Sequence, residues 1–152
     1  MNVLIVDDEP LARERLSRMV SEIEGYRVLE PSASNGEEAL ALIESHKPDI
    51  VLLDIRMPGL DGLQVAAKLC ERETPPAIVF CTAHDEFALE AFQVSAVGYL
   101  VKPVRPERLA DALGRLPGLG RTLPSGLRYL VSFAVIGLIG FLFAYLVMAN
   151  RE

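Results

Sequence analysis

Hydrophobic residues in the first 116 positions follow two alternating periods. Four short runs are continuously apolar: Val3-Leu4-Ile5-Val6, Ile50-Val51-Leu52-Leu53, Ala77-Ile78-Val79-Phe80 and Tyr99-Leu100-Val101. Strands that are apolar on both faces belong to a parallel sheet covered on both sides. A weaker run, Tyr26 to Glu30, carries Arg27 and Glu30 and is expected at an edge. Between the runs, apolar positions recur at helical spacing. Ala12, Leu16, Met19, Val20 and Ile23 share one face, with Arg13, Glu14, Arg15 and Arg18 largely on the other. Asn35, with Glu38 three residues on, predicts the start of a helix through Ser45. Asp61 is expected to cap a helix carrying Val65, Ala66, Leu69 and Cys70, and Asp85 a shorter one through Val94. Pro106 suits the first turn of a last helix bearing Leu109, Leu113 and Leu116. A β-α unit repeated five times with right-handed crossovers predicts an α/β, doubly wound, five-stranded parallel sheet with helices on both faces.

The pattern changes after Leu116. Pro117-Gly118-Leu119-Gly120 breaks the last helix, and 117–126 reads as a linker. Tyr129 to Ala149 is then a run of 21 residues without a charge. As a helix such a run spans about 30 Å, the hydrocarbon thickness of a bilayer. The expectation is a C-terminal transmembrane helix over 127–149, followed by a short tail, 150–152. Arg115, Arg121 and Arg128 precede the run and only Arg151 follows it, which places the N-terminal part in the cytoplasm, anchored to the inner membrane. Gly140 and Ala144 make one small-residue pair of the kind that lets helices approach. A fusion, an out-of-frame extension and the first span of a truncated membrane protein remain open as other origins of the run.

Charge divides the chain at the same place. Residues 1–116 hold 20 of the 21 acidic and 12 of the 15 basic residues, a net of −8, and residues 117–152 carry a net of +2. An acidic first part argues against direct nucleic-acid binding by this chain, because phosphate backbones would repel it. Cys70 and Cys81 stand in apolar surroundings and read as small buried hydrophobes in a reducing compartment. The opening MNVLIVDDEP is not a signal peptide, since its apolar run is four residues long and ends in acid.

In an open parallel sheet, ligands bind beyond the carboxyl ends of the strands. After VLIV come Asp7 and Asp8, after IVLL comes Asp54, after AIVFC comes Thr82, and after YLV comes Lys102 followed by Pro103. Three carboxylates on one rim repel one another unless a cation shares the site. A hard dication such as magnesium takes oxygen ligands, one or two of them carboxylates, and keeps water. Lys102 brings a point positive charge and Thr82 a hydroxyl donor for phosphoryl oxygens. A carboxylate can attack phosphorus to form an acyl phosphate. Any one of these residues alone reads as a cap, a turn or solvated surface; the set at one rim does not.

The stretches VLIVDDEP, IVLLDIRMPGLDG, FCTAHDEFALEAF and GYLVKPV together resemble the receiver domains of two-component response regulators over residues 1–116. Within that family they are similar to the branch with a LytTR-type DNA-binding output. The resemblance implies a flavodoxin-like receiver with strand order 2-1-3-4-5. It implies Asp54 as the phosphoacceptor, with Mg2+ bound by Asp8, Asp54 and the Arg56 backbone carbonyl, and by Asp7 through water. It implies Thr82 and Lys102 on the phosphoryl group, Tyr99 as the switch residue moving with Thr82, and a cis peptide before Pro103. It also implies a sensor histidine kinase as phosphodonor and a homodimer through the Asp85–Leu116 face. The protein would assist its own phosphorylation and slow dephosphorylation without being an enzyme toward other substrates. Gly98 departs from the family, many members having an acidic residue there. His46, near a helix end, and His84, after the fourth strand, are not read as phosphorelay histidines.

Other classes fit less well. A dehalogenase-type phosphatase wants a second Asp two residues after the nucleophile, where this chain has Arg56. A nucleotide-binding oxidoreductase wants a glycine-rich turn where DDEP stands. A phosphorylation-independent interaction module would not require the intact acidic set. The main alternative is the receiver part of a LytTR-type transcription regulator whose output domain is absent from this chain.

Overall fold

The computed structural model describes residues 1–115 together with positions 145, 148 and 149. The chain divides into two compact units, Met1–Pro117 and Gly118–Glu152. In the first, strands and helices alternate: β1 (Asn2–Val6), α1 (Pro10–Ser21), β2 (Arg27–Val28), α2 (Gly36–His46), β3 (Ile50–Leu53), α3 (Gly62–Cys70), β4 (Ala77–Thr82), α4 (Ala88–Gln93), β5 (Gly98–Val101) and α5 (Pro106–Gly114). The five strands pair in parallel in the order β2-β1-β3-β4-β5. This is the doubly wound sheet the hydrophobic pattern predicts.

Alternation along the strands sorts the core into two layers. Leu4, Val6, Val51, Leu53, Ile78 and Phe80 pack with Ala39 and Ile43 of α2, Val65, Ala66 and Leu69 of α3, and Ala91 of α4. Val3, Ile5, Ile50, Leu52, Val79 and Cys81 pack with Leu16 and Val20 of α1 and with Leu109 and Leu113 of α5. Each fully buried Leu, Ile or Val contributes about 1.5–3 kcal/mol, and the three central strands share the core with the helix faces that cover them.

Three helix starts follow their sequence signals. The Asn35 side chain accepts from the Glu38 amide at 2.8 Å. Asp61 and Gln64 form a reciprocal capping box, and Pro106 opens α5. The fourth does not. α4 begins at Ala88 with Phe87 at its N-cap and no side-chain cap, so Asp85 is not a cap. The preceding loop is instead held through the main chain of His84, described below.

One edge also differs from expectation. β2 is only two residues long, although its ladder resumes at a bridge between Val6 and Ala33. Pro31, which has no amide hydrogen to donate, interrupts it. β5 is the other edge, as the order 2-1-3-4-5 implies, and its Val101 is 45% exposed.

The linker 117–126, Leu116 and most of 127–149 lie outside the described residues, except that Tyr145, Met148 and Ala149 are helical. Among the described residues no helix is long and apolar enough to cross a membrane.

Candidate functional site

The strand ladders carry the polar residues to one rim. The Asp7 amide donates to Ala33 O at 3.0 Å, the Asp54 amide to Val6 O at 2.9 Å, and the Lys102 amide to Thr82 O at 2.7 Å. These bonds extend the sheet one residue beyond its apolar core and fix where each side chain begins.

Asp7, Asp8 and Asp54 each place a carboxylate oxygen within 4.8 Å of the others. Asp7 and Asp54 are buried and Asp8 is exposed. The Lys102 ammonium lies 2.6 Å from Asp7 Oδ2 and 3.5 Å from Asp54 Oδ2. Asp7 Oδ1 accepts the Glu9 amide at 2.9 Å, so both of its oxygens are engaged. Asp54 Oδ1 accepts the Ile55 amide at 2.8 Å, which leaves Oδ2 facing the ammonium.

Burial first, and then the Asp7 charge, push the Asp54 carboxyl above its usual range, against the pull of Lys102 and the Ile55 amide. For Lys102, burial acts to lower the pKa. The Asp7 hydrogen bond and the charges of Asp54 and Asp7 outweigh it, and the ammonium is held above its usual range. One ammonium among three carboxylates leaves an excess of negative charge in a half-buried cleft. That donor set, all oxygen and open at Asp8, fits a hard dication.

Thr82 ends β4 fully buried, and its Oγ1 accepts the His84 amide at 3.3 Å. The Tyr99 hydroxyl donates to the His84 carbonyl. Its ring sits 6.3 Å from that of Phe80, its partner in the β4–β5 register. The Lys102–Pro103 peptide is cis. Cys81, in the layer beneath the rim, is fully buried, and burial pushes its thiol up to about 12. His46 lies in the last turn of α2, away from this rim.

Of the predicted site residues, Asp7, Asp54 and Lys102 meet through side-chain contacts with Asp8 close by, and Thr82 and Tyr99 meet at the His84 main chain. Arg56, two residues beyond Asp54, places its guanidinium over the Phe87 ring, 5.3 Å from the centroid. Phe87 and Arg13 were not singled out from sequence. Arg13 donates to the Asp7 carbonyl at 2.7 Å and steadies the β1–α1 turn; its place among the polar residues of a helix face gave no sign of this. Gly62 also serves the site, since a Cβ there would lie 2.1 Å from the Asp54 carbonyl oxygen. Only glycine lets α3 approach the strand end this closely.

Comparison with known proteins agrees with this geometry. The family description "response regulator receiver domain" matches residues 3–114. The chain is 86% identical over 113 residues to the positive alginate biosynthesis regulatory protein of Pseudomonas aeruginosa, covering 74% of this chain and 46% of that protein. It is 42% identical to the sensory transduction protein LytR of Staphylococcus haemolyticus, covering 76% of this chain and 45% of the relative. It therefore spans about half the length of these curated relatives. Among solved structures, the response regulatory domain of mrkE from Klebsiella pneumoniae superposes with a TM-score of 0.71 at 35% identity, covering 76% of this chain and 94% of that one. The regulator TrrA of Thermotoga maritima, solved in complex with Mg(2+)-BeF, matches at 0.68 and 37% identity, covering 76% and 97%. With the family match across nearly all of the described unit, the chain belongs to the response-regulator receiver domains.

Proposed function

We propose that Asp54 accepts a phosphoryl group from a sensor histidine kinase and that this shifts the chain between two conformations. The observation that carries the proposal is the group of three carboxylates within 4.8 Å of one another, faced by the Lys102 ammonium. Asp8, Asp54 and the Arg56 carbonyl would hold Mg2+, with Asp7 acting through water because its own oxygens are already engaged. Once bound, the ion supplies charge neutralisation and a coordination position for a phosphoryl oxygen. The Asp54 carboxylate forms the new bond to phosphorus as the donor's bond breaks. Lys102 exchanges part of its contact with Asp7 for a phosphoryl oxygen, and the Thr82 hydroxyl donates to another. Thr82 and Tyr99 meet at His84, so a pull on Thr82 reaches Tyr99 through one residue.

Acetyl phosphate with magnesium is expected to label the protein at a single site. Asp54→Ala should abolish the label, and full labelling of that variant would overturn the assignment.

Partners follow from surface features. A groove of about 300 Å³ beside Lys102, lined by Leu11, Leu16, Met19, Pro103 and Val104, offers an apolar seat next to the phosphoacceptor and suits the kinase. The Asp85–Leu116 face exposes Leu89, Phe92, Val97 and Val101 and suits a second copy of the chain. The uncharged run over 129–149 supports anchoring the receiver to the cytoplasmic face of a membrane. Recovery of the full chain in the soluble fraction after carbonate washing would remove the anchor.

A second reading makes this the receiver part of a LytTR-type transcription regulator. The 86% identity to a regulator of which the chain spans 46% favours it. Under either reading the chain alone should shift no DNA in a gel assay.

A further inference from the structure

We propose that Phe87 is a positioning residue for phosphoacceptance, clamping the loop that carries Arg56 to the loop that carries His84 and so keeping the Thr82 hydroxyl free to donate. The inference rests on Asp54 as the phosphoacceptor. Phe87 takes no part in the chemistry and touches none of the three acids.

Its ring has two neighbours from different loops. On its face, the Arg56 guanidinium stands 5.3 Å from the centroid, within the range of a cation–π contact. At its edge, the His84 ring meets it at 6.0 Å and 79°, the T-shaped arrangement that aromatic quadrupoles prefer. A second contact on the His84 ring comes from Glu86, whose carboxylate lies 3.3 Å from Nδ1.

With its ring fixed, the His84 main chain is fixed as well, and it is this main chain that touches both switch residues. The His84 amide donates to Thr82 Oγ1 at 3.3 Å. Because the hydroxyl oxygen accepts that bond, its proton stays available for a phosphoryl oxygen. The His84 carbonyl takes the Tyr99 hydroxyl. The clamp also explains why Phe87 rather than Asp85 stands at the head of α4. A ring packed on His84 of its own loop and facing Arg56 of the β3–α3 loop starts the helix there, without a side-chain cap.

The ring has a second effect. It holds a flexible cation two residues from the phosphoacceptor on an aromatic face. Without that face the guanidinium would be free to pair with the acids in place of Lys102.

Substitutions that separate ring face from apolar volume test the clamp in the full chain. Phe87→Leu keeps most of the apolar volume and loses the face; Phe87→Tyr keeps both. Pseudo-first-order labelling by acetyl phosphate with magnesium should slow about threefold in Phe87→Leu, the factor that one partly exposed cation–π contact represents, and hold near wild type in Phe87→Tyr. Arg56→Met should slow labelling to a similar degree, and the double variant Arg56→Met/Phe87→Leu should be no slower than either single one. In metal-free protein, the Arg56 δ-protons should be shifted upfield by the ring in wild type and Phe87→Tyr, and not in Phe87→Leu.

Equal rates for the Leu and Tyr variants, slowing that multiplies in the double variant, or unshifted Arg56 protons in wild type would each overturn the clamp. The proton shift reads the clamp without any phosphoryl transfer. A wild type that shows the shift and takes no label therefore brings down Asp54 as acceptor, and the positioning role with it, while leaving the contact standing.

Discussion

The two sides of the functional rim are built differently. On the β1–β3 side the apolar residues of the strands are buried, the acids leave them through ladder hydrogen bonds, and the flanking α2 and α3 are capped by Asn35 and Asp61. On the β4–β5 side α4 is six residues long and uncapped, Ser95 takes a left-handed φ of 62°, and Leu89 is 69% exposed. Like charges held together demand a frame that cannot relax apart, because relaxation is what their repulsion favours. An element meant to change position needs the reverse, little burial and few fixed ends. The acids are on the stiff side, and Thr82, Tyr99 and Lys102 are carried by β4 and β5 on the loose one.

Substitutions should break that contrast in order of burial. Leu52→Ala, in the fully buried β3, is expected to cost about 3 kcal/mol in urea denaturation. Gly62→Ala should cost about 2 kcal/mol or more, since its Cβ would be driven against the Asp54 carbonyl, and labelling should fall with it. Leu89→Ala, on the loose side, should stay within about 0.5 kcal/mol.

The acids themselves give a finer test, because they work against folding when no ion is bound. Without divalent metal, Asp54→Asn is expected to melt above wild type. The Asp54 carboxyl is raised above its unfolded value of 3.8, so the native state holds its proton longer than the unfolded state does. Wild type should therefore lose stability relative to Asp54→Asn as pH rises from 3.8 through the raised value, and the two should converge below 3.8. Millimolar magnesium should reverse the order at neutral pH, because an ion that binds only the folded wild type stabilises it by mass action. Calorimetric scans with and without magnesium would read both effects, and an Asp54→Asn variant that melts lower in metal-free buffer would contradict the repulsion.

Much of this architecture is legible in one dimension. Continuous apolar runs marked the central strands, and the pair Asn35/Glu38 and the cap Asp61 marked two helix starts. The rim acids, Thr82 and Lys102 could be found because the end of a parallel strand is a position sequence can count to. The start of α4 could not. Asp85 is a good cap by composition, yet the helix starts at Ala88 with Phe87 at its N-cap, whose ring contacts lie outside local sequence. The shortness of β2 depended on Pro31, visible in the chain, and on where the ladder resumes, which is not.

The sequence alone determined where the central strands deliver their polar residues and that five β-α units must share one sheet, since periodicity and turn chemistry act over a few residues. Tertiary structure decided which charges would meet. Asp7 and Lys102 lie 95 positions apart, and strand order and register bring them to 2.6 Å. Tertiary structure also decided that Arg56 would face an aromatic ring and that His84 would hold both Thr82 and Tyr99. Contacts of that kind depend on distances in space, which local propensity does not encode.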